Sequence, residues 1–228
     1  METVGAIIPV YNEASSFYGN LPYISRMFTP LNEAVMNGIL QKIIWVDDGS
    51  TDNTAGLIKK AIKGDQEILS HDYNRGKAAA FFTGFRAMQD IMDLILTLDA
   101  DILNLTNEKI TDFLSYMNPY LDMVVLEYAQ IEGQPNSMWS GVRIIRRDVL
   151  LELFNPRNPN YGALMKIFNP EQKENYGYGL EIVLNRLISE EKTLTAREIP
   201  LTSRRPGGGQ FDITKIASDF FYVTELIE

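Results

Sequence analysis

Asp99-Ala100-Asp101 holds the side chains with the plainest chemical use in this sequence. The two carboxylates are two residues apart, directly after the apolar run Leu94–Leu98. So placed, they can meet one cation, or one cation and its water shell. Mg2+ and Mn2+ suit such oxygen sites, usually with substrate phosphate oxygens completing the sphere. A solvated turn or a helix cap is the other use of the same residues. Asp47-Asp48-Gly49-Ser50 closes a second apolar run, Lys42–Val46. One aspartate can accept hydrogen bonds from a nucleobase or ribose, and the other can bind backbone N–H groups of the turn. A well-capped turn before a helix has the same composition. Tyr11-Asn12-Glu13 closes a third run, Val4–Val10, with Pro9 near its end, where a missing N–H costs little.

Cations are fewer and local. Asn74-Arg75-Gly76-Lys77 opens a helical stretch, and a helix N-terminus flanked by Arg75 and Lys77 attracts anions such as a diphosphate. It lacks the glycine spacing and the Ser/Thr of a P-loop, and a solvated basic turn is its plainer reading. Ser203-Arg204-Arg205-Pro206, followed by three glycines, is the second cationic site. Ordering those glycines costs roughly 1 kcal/mol each relative to alanine. That suits a loop that closes over a phosphorylated ligand, or a flexible surface connection. Glu181, near the start of a helix over Leu180–Ile188, is a candidate general base or acceptor-orienting group, or simply a first-turn acid. His71, the only histidine, reads as a local hydrogen-bonding residue.

The elements that must position these groups alternate. Strands are expected over Val4–Val10, Lys42–Val46, Glu67–Ser70 and Leu94–Leu98, with helices over Pro22–Asn37, Ala55–Lys63 and Gly76–Met92 between them. That order predicts an α/β fold with a mostly parallel sheet and helices on both faces. Ligands of such sheets bind beyond the carboxyl ends of the strands, where the acidic clusters fall. Further on, Thr106–Met117 reads as a helix, Met123–Tyr128 as a strand, Arg146–Phe154 as a helix and Asn155–Asn160 as a loop. Arg197–Leu201 reads as a short strand and Ile216–Leu226 as a final helix. The 228 residues are taken as one domain.

Thirty acidic against 21 basic residues leave a formal charge of -9, the wrong sign for nucleic acid as the main partner. There are no cysteines, which excludes disulfides, thiolate catalysis and cysteine metal sites. The N-terminal METVGAIIPVYNE is too acidic and too briefly apolar for a signal peptide, and no run approaches the ~18 apolar residues of a membrane span. A cytoplasmic protein, in peripheral contact with a membrane at most, is the expectation.

Together the segments Ile7–Glu13 (IIPVYNE), Val46–Thr54 (VDDGSTDNT), Asn74–Ala80 (NRGKAAA) and Leu98–Asp101 (LDAD) resemble the family 2 inverting glycosyltransferases of the GT-A fold. Ser140–Leu150, Gly179–Leu187 and Glu198–Gln210 resemble the dolichyl- and polyprenyl-phosphate mannose or glucose synthase branch. Leu103 and Gly209-Gln210 depart from that branch's pattern. The resemblance implies a nucleotide-sugar half over 1–104 and an acceptor half over 105–228. It puts Pro9, Tyr11, Glu13 and Asp47 around the base and ribose, with Asp48 in the same turn. Asp99 faces the sugar or nucleotide, and with Asp101 it binds Mg2+ or Mn2+ on the diphosphate. Arg143, Arg204 and Arg205 lie near phosphates, Lys77 beside the donor, and Glu181 on the acceptor side. The activity implied is transfer of a hexose from a UDP- or GDP-sugar to a polyprenyl phosphate. A saccharide or small soluble acceptor is the alternative, and an inactive nucleotide-sugar-binding protein the rival of another class. A nucleotidyltransferase would want a glycine-rich loop with lysine after the first strand, where this chain has Tyr11-Asn12-Glu13.

Overall fold

Strand β1 (Val4–Val10) is apolar at almost every position because both of its sides are covered. Ala6, Ile8 and Val10 belong to one hydrophobic cluster and Ile7 to another, on the opposite face of the sheet. The same division runs through β4 (Lys42–Asp47), where Ile43 and Trp45 face one way and Ile44 and Val46 the other. Strands buried on two faces read as continuous hydrophobic runs rather than alternating ones. In this computed structural model, residues 2–15, 17–18, 21–22, 24–126, 140–169, 179–188 and 190–196 are described.

Two short strands, β2 (Phe17–Tyr18) and β3 (Leu21–Pro22), pair antiparallel beyond β1. The remaining strands are β5 (Gln66–Ser70), β6 (Leu94–Thr97), β7 (Met123–Leu126), β8 (Arg143–Arg146) and β9 (Thr193–Ala196). With β1 and β4 they form one sheet in the order β5-β4-β1-β6-β8-β7-β9. Strands β4, β5 and β6 run parallel to β1, and β7 runs parallel to β9. Among the seven described strands of this sheet only β8 is reversed, antiparallel to both β6 and β7. The reversal has a consequence for the site: the residues entering β8 lie at the same sheet edge as the residues leaving β1, β4 and β6.

Helices α1 (Ser25–Met36), α2 (Thr54–Ala61) and α4 (Asn107–Ser115) supply Met27, Leu31, Ile58, Ile110 and Phe113 to the first cluster. Helices α3 (Lys77–Met88), α5 (Arg147–Leu153), α6 (Tyr161–Phe168) and α7 (Gly179–Leu187) pack on the other face. The α/β architecture with a mostly parallel sheet and helices on both faces is therefore as the sequence predicts. Most predicted elements are present with ends shifted by one to four residues; α1 begins at Ser25 rather than Pro22, and α3 ends at Met88 rather than Met92. Four features differ. The β2–β3 pair, helix α6 and strand β9 were not anticipated, and neither was strand β8, where Arg143-Ile-Ile-Arg146 precedes the expected helix. The predicted elements Arg197–Leu201 and Ile216–Leu226 lie outside the described residues.

Helix α3 is the element on which the site depends most, because it begins at Lys77. It is seated by a glycine. A Cβ on Gly84 would stand 2.6 Å from Ile7 Cγ2 and 3.3 Å from Val46 Cγ2, so the helix meets β1 and β4 where no side chain intervenes. Overpacking of this kind costs roughly 1–3 kcal/mol. Gly84→Val is expected to lower the unfolding free energy by about that amount in a denaturant melt, and an unchanged midpoint would show that α3 is not seated there.

Candidate active site

The polar turns at the carboxyl edge are tied to one another before any ligand arrives. Asn12 adopts a left-handed backbone conformation, with φ 55°, which asparagine tolerates better than most residues. Its backbone N–H donates to Ser50 Oγ at 2.9 Å, and its own Oδ1 accepts from Thr51 N at 2.8 Å. Ala14 N donates to Thr54 Oγ1, and Ser15 N to Asp52 Oδ2. Asp52 in turn accepts from Thr54 N at 3.0 Å and so steadies the start of α2. The turn after β1 is thereby locked to the turn after β4.

The two aspartates of that second turn divide the roles open to them. Asp47 Oδ1 accepts from Ser50 N at 3.1 Å. Asp48 is expected in the donor pocket by resemblance, but its carboxylate is buried and given to the chain itself. Its Oδ1 accepts from Arg75 N at 2.9 Å and meets His71 Nδ1 at 2.8 Å, while Oδ2 accepts from Gly76 N at 2.7 Å. His71 Nε2 lies 2.9 Å from Thr83 Oγ1 on α3. The Asn74–Lys77 segment is thus held by its backbone N–H groups against the end of β4, and His71 has the local bonding role expected of it. Gly49 makes this approach possible: its φ is +72°, and a Cβ there would collide with the Tyr73 and Asn74 backbone.

Lys77, expected beside a diphosphate, turns instead to two carboxylates. Its Nζ donates to Asp99 Oδ1 and to Glu181 Oε1, each at 2.6 Å. Burial by itself would push the lysine pKa down. The charges and hydrogen bonds of Asp99 and Glu181 outweigh it and hold the ammonium above the ordinary lysine range. Glu181 is 1% exposed, and its second oxygen, Oε2, has no hydrogen-bond partner among the described residues. The lid on this pair is Gly141, just before β8. A Cβ there would strike the Asp99 carboxylate and the Lys77 ammonium. Thr97 Oγ1 donates to the Gly141 carbonyl and fixes the segment in place. Gly141 was not singled out from sequence, because strand β8, which it precedes, was not anticipated.

Arg143 is held inside the fold. It is expected by resemblance beside phosphates, yet it is wholly buried in β8. Its Nε donates to the Ser140 carbonyl at 2.8 Å and its Nη1 to Asn185 Oδ1 at 2.7 Å. Glu181 and Asn185 are four residues apart on α7 and so share a face. Lys77 holds one and Arg143 the other, which makes Arg143 a tie between sheet and helix behind the site. Arg204 and Arg205 lie outside the described residues.

Glu13 sits in a negative environment. Its pKa is raised from 4.5 to about 7, first by burial and then by the charges of Asp101, Asp52 and Asp99. Glu13 Oε2 has no hydrogen-bond partner among the described residues. A partly buried carboxylate with one oxygen unpartnered among the described residues, set among other carboxylates, suits a cation. Of the Asp99/Asp101 pair, Asp99 Oδ1 is engaged by Lys77, and Asp101 is the carboxylate whose charge acts most strongly on Glu13. Among the described residues no three His, Cys, Asp or Glu side chains gather closely enough to hold a metal unaided. Tyr11 is 44% exposed at the mouth of this region, and Pro9 pairs with Val46 inside the sheet.

The geometry can be set beside known proteins. The family model described as Glycosyl transferase family 2 matches residues 6–184. Undecaprenyl-phosphate 4-deoxy-4-formamido-L-arabinose transferases from Salmonella paratyphi B and Salmonella enteritidis are 40% identical over 107 residues, 46% of this chain. The match spans 30% of those relatives' own length. Among solved structures, glucosyl-3-phosphoglycerate synthase from Mycobacterium tuberculosis, in complex with Mn2+, UDP and glucosyl-3-phosphoglycerate, superposes with a TM-score of 0.66. The identity is 14%, over 99% of this chain and 78% of that one. The same enzyme with Mg2+ and UDP gives 0.69 at 15% identity. At such identity the likeness shows the fold.

Two outcomes are expected from these contacts. Gly141→Ala should leave the fold intact but part Asp99 from Lys77, lowering turnover about ten-fold or more; full turnover in a folded variant would remove Gly141 from the site. Glu13 has its pKa raised on folding, so its contribution to stability is complete below pH 4.5 and is lost as pH rises through about 7. In EDTA, the wild-type protein should lose up to roughly 3 kcal/mol relative to Glu13→Gln across that window. Parallel stability curves for the two proteins would contradict the assignment.

Proposed function

The chain belongs to glycosyl transferase family 2, and on that premise we propose that it moves a hexose, with inversion, from a UDP- or GDP-sugar to an acceptor hydroxyl in a divalent-cation-dependent reaction. The observation that carries this reading is that Asp99 is held by the buried Lys77–Glu181 pair while the charges of Asp99 and Asp101 act on Glu13. Asp101, with Glu13 close by, would hold the cation, which when bound would neutralise charge on the diphosphate leaving group.

The chain's own residues do the rest. Tyr11 offers an exposed ring at the mouth for the base, while Asp47 and Glu13 offer carboxylate acceptors for base and ribose. Asp99, fixed by Lys77, is proposed to face the sugar. Arg204 and Arg205 are proposed at the phosphates. Glu181 is the proposed base: Oε1 is anchored by Lys77, and Oε2 is left to take the proton of an acceptor hydroxyl. That unpartnered oxygen favours a saccharide or small soluble acceptor, which needs a base.

A polyprenyl phosphate is the second reading. It is supported by the 40% identity to transferases named for undecaprenyl phosphate. Its oxygen is already anionic and calls for no base, and the work would be done in peripheral contact with the cytosolic face of a membrane. Among the described residues no helix is long and apolar enough to cross one.

The test offers radiolabelled UDP- and GDP-hexoses with either polyprenyl phosphate or a panel of saccharide and small hydroxylic acceptors, then separates organic from aqueous products. Aqueous label, abolished by EDTA, restored by Mn2+ or Mg2+, and reduced on the order of 100-fold or more by Asp101→Ala, is the expected result. Label only in the organic phase would replace the acceptor assignment by the lipid one. Undiminished transfer in EDTA would end the cation reading.

A further inference from the structure

Lys77 occupies an unexpected place for a cation in a site that is to receive another. Its ammonium lies 2.6 Å from Asp99 Oδ1, an oxygen of the very pair read as cation-binding, and 2.6 Å from Glu181 Oε1. It is not a loose surface contact. The lysine leaves the first turn of α3, which Asp48 holds through the N–H groups of Arg75 and Gly76. Gly141 closes on the pair so tightly that a single methyl group would collide with both partners. Asp101, Asp52 and Asp99 lie close enough to Glu13 for their charges to act on it.

We propose that Lys77 is a positioning residue that holds Asp99 in place of a divalent cation, so that the cation enters this site together with the donor's diphosphate and not before it. Bound alone, a divalent ion would lose Asp99 Oδ1 as a ligand and face the ammonium's repulsion at short range in a partly buried site. No three carboxylates among the described residues compensate by gathering around it. A diphosphate changes both terms. Its oxygens supply the missing ligands, as is usual for Mg2+ sites, and its negative charge offsets the ammonium. Linkage makes the relation reciprocal: whatever factor the nucleotide contributes to cation affinity, the cation contributes to nucleotide affinity. The proposal rests on the cation-dependent reading above.

The test measures Mn2+ binding to the full chain by the electron paramagnetic resonance signal of free Mn2+, without nucleotide and with UDP or GDP. Lys77→Gln alone strands the buried Glu181 carboxylate, so the informative protein is Lys77→Gln/Glu181→Gln. Wild type is expected to bind Mn2+ at least about ten-fold more tightly with nucleotide than without it. The double variant is expected to bind Mn2+ without nucleotide about ten-fold more tightly than wild type. A structural role for Lys77 alone would move neither value in this direction. Equal nucleotide-free affinities in wild type and a cooperatively melting double variant would overturn the proposal and leave the cation reading standing. Wild-type affinity independent of nucleotide would overturn it too, whatever the variant's fold. No Mn2+ binding under any condition would overturn both.

Discussion

A single ammonium group joins the two halves of this molecule's chemistry. Lys77 Nζ receives Asp99 from the end of β6 and Glu181 from the first turn of α7, residues separated by 82 positions in sequence. A lysine so enclosed keeps its proton because two carboxylates are its neighbours. They in turn tolerate burial because it is there. Remove the cation and Glu181, 1% exposed, becomes an uncompensated charge inside the fold. The other contacts of the site serve to place that ammonium.

The supports can be followed outward. Asp48 gives its carboxylate to two backbone N–H groups at the start of α3 and to His71, which braces Thr83 one and a half turns further along the same helix. Gly84 lets that helix settle on β1 and β4. From the other side, Thr97 holds the Gly141 carbonyl, and Arg143 holds Asn185 one turn beyond Glu181. A polar network whose members are each bound to backbone or to one another is stiff. Transfer between two bound substrates requires that stiffness, since rate falls steeply when reacting groups are misplaced.

The opposite side of Asp99 is built on a different principle. Burial first, and then the charges of Asp101, Asp52 and Asp99, hold the Glu13 pKa above the ordinary carboxylate range. Such an arrangement is costly in the free protein and is relieved by positive charge. Family 2 membership makes the chain a glycosyltransferase, and the carboxylate edge is the part of it best suited to a charged donor. One strand, β8, makes the two principles meet: running against its neighbours, it brings Gly141 to the edge where the parallel strands end.

Much of this was open to reading along the chain. Continuous apolar runs of four to seven residues, each ending in acids, specify buried parallel strands with a polar carboxyl edge, because burial on both faces leaves no room for alternation. The clusters at Glu13, Asp47-Asp48 and Asp99/Asp101 were legible for that reason, and the motif set around them pointed to the family. What the chain could not declare is which partner each polar group takes. Asp47 and Asp48 are neighbours of identical chemistry, and only the approach of the Asn74–Gly76 backbone over Gly49 decides that Asp48 is spent on the fold. Lys77 and Arg143 are basic residues that by type alone suit phosphates. The reversed direction of β8 and the first turn of α7 give one to Asp99 and Glu181 and the other to Asn185. Strand direction and helix seating are properties of the assembled sheet, set by contacts between residues far apart in sequence. For this reason local composition pointed to the candidate site, and the tertiary structure alone gave each polar group its partner.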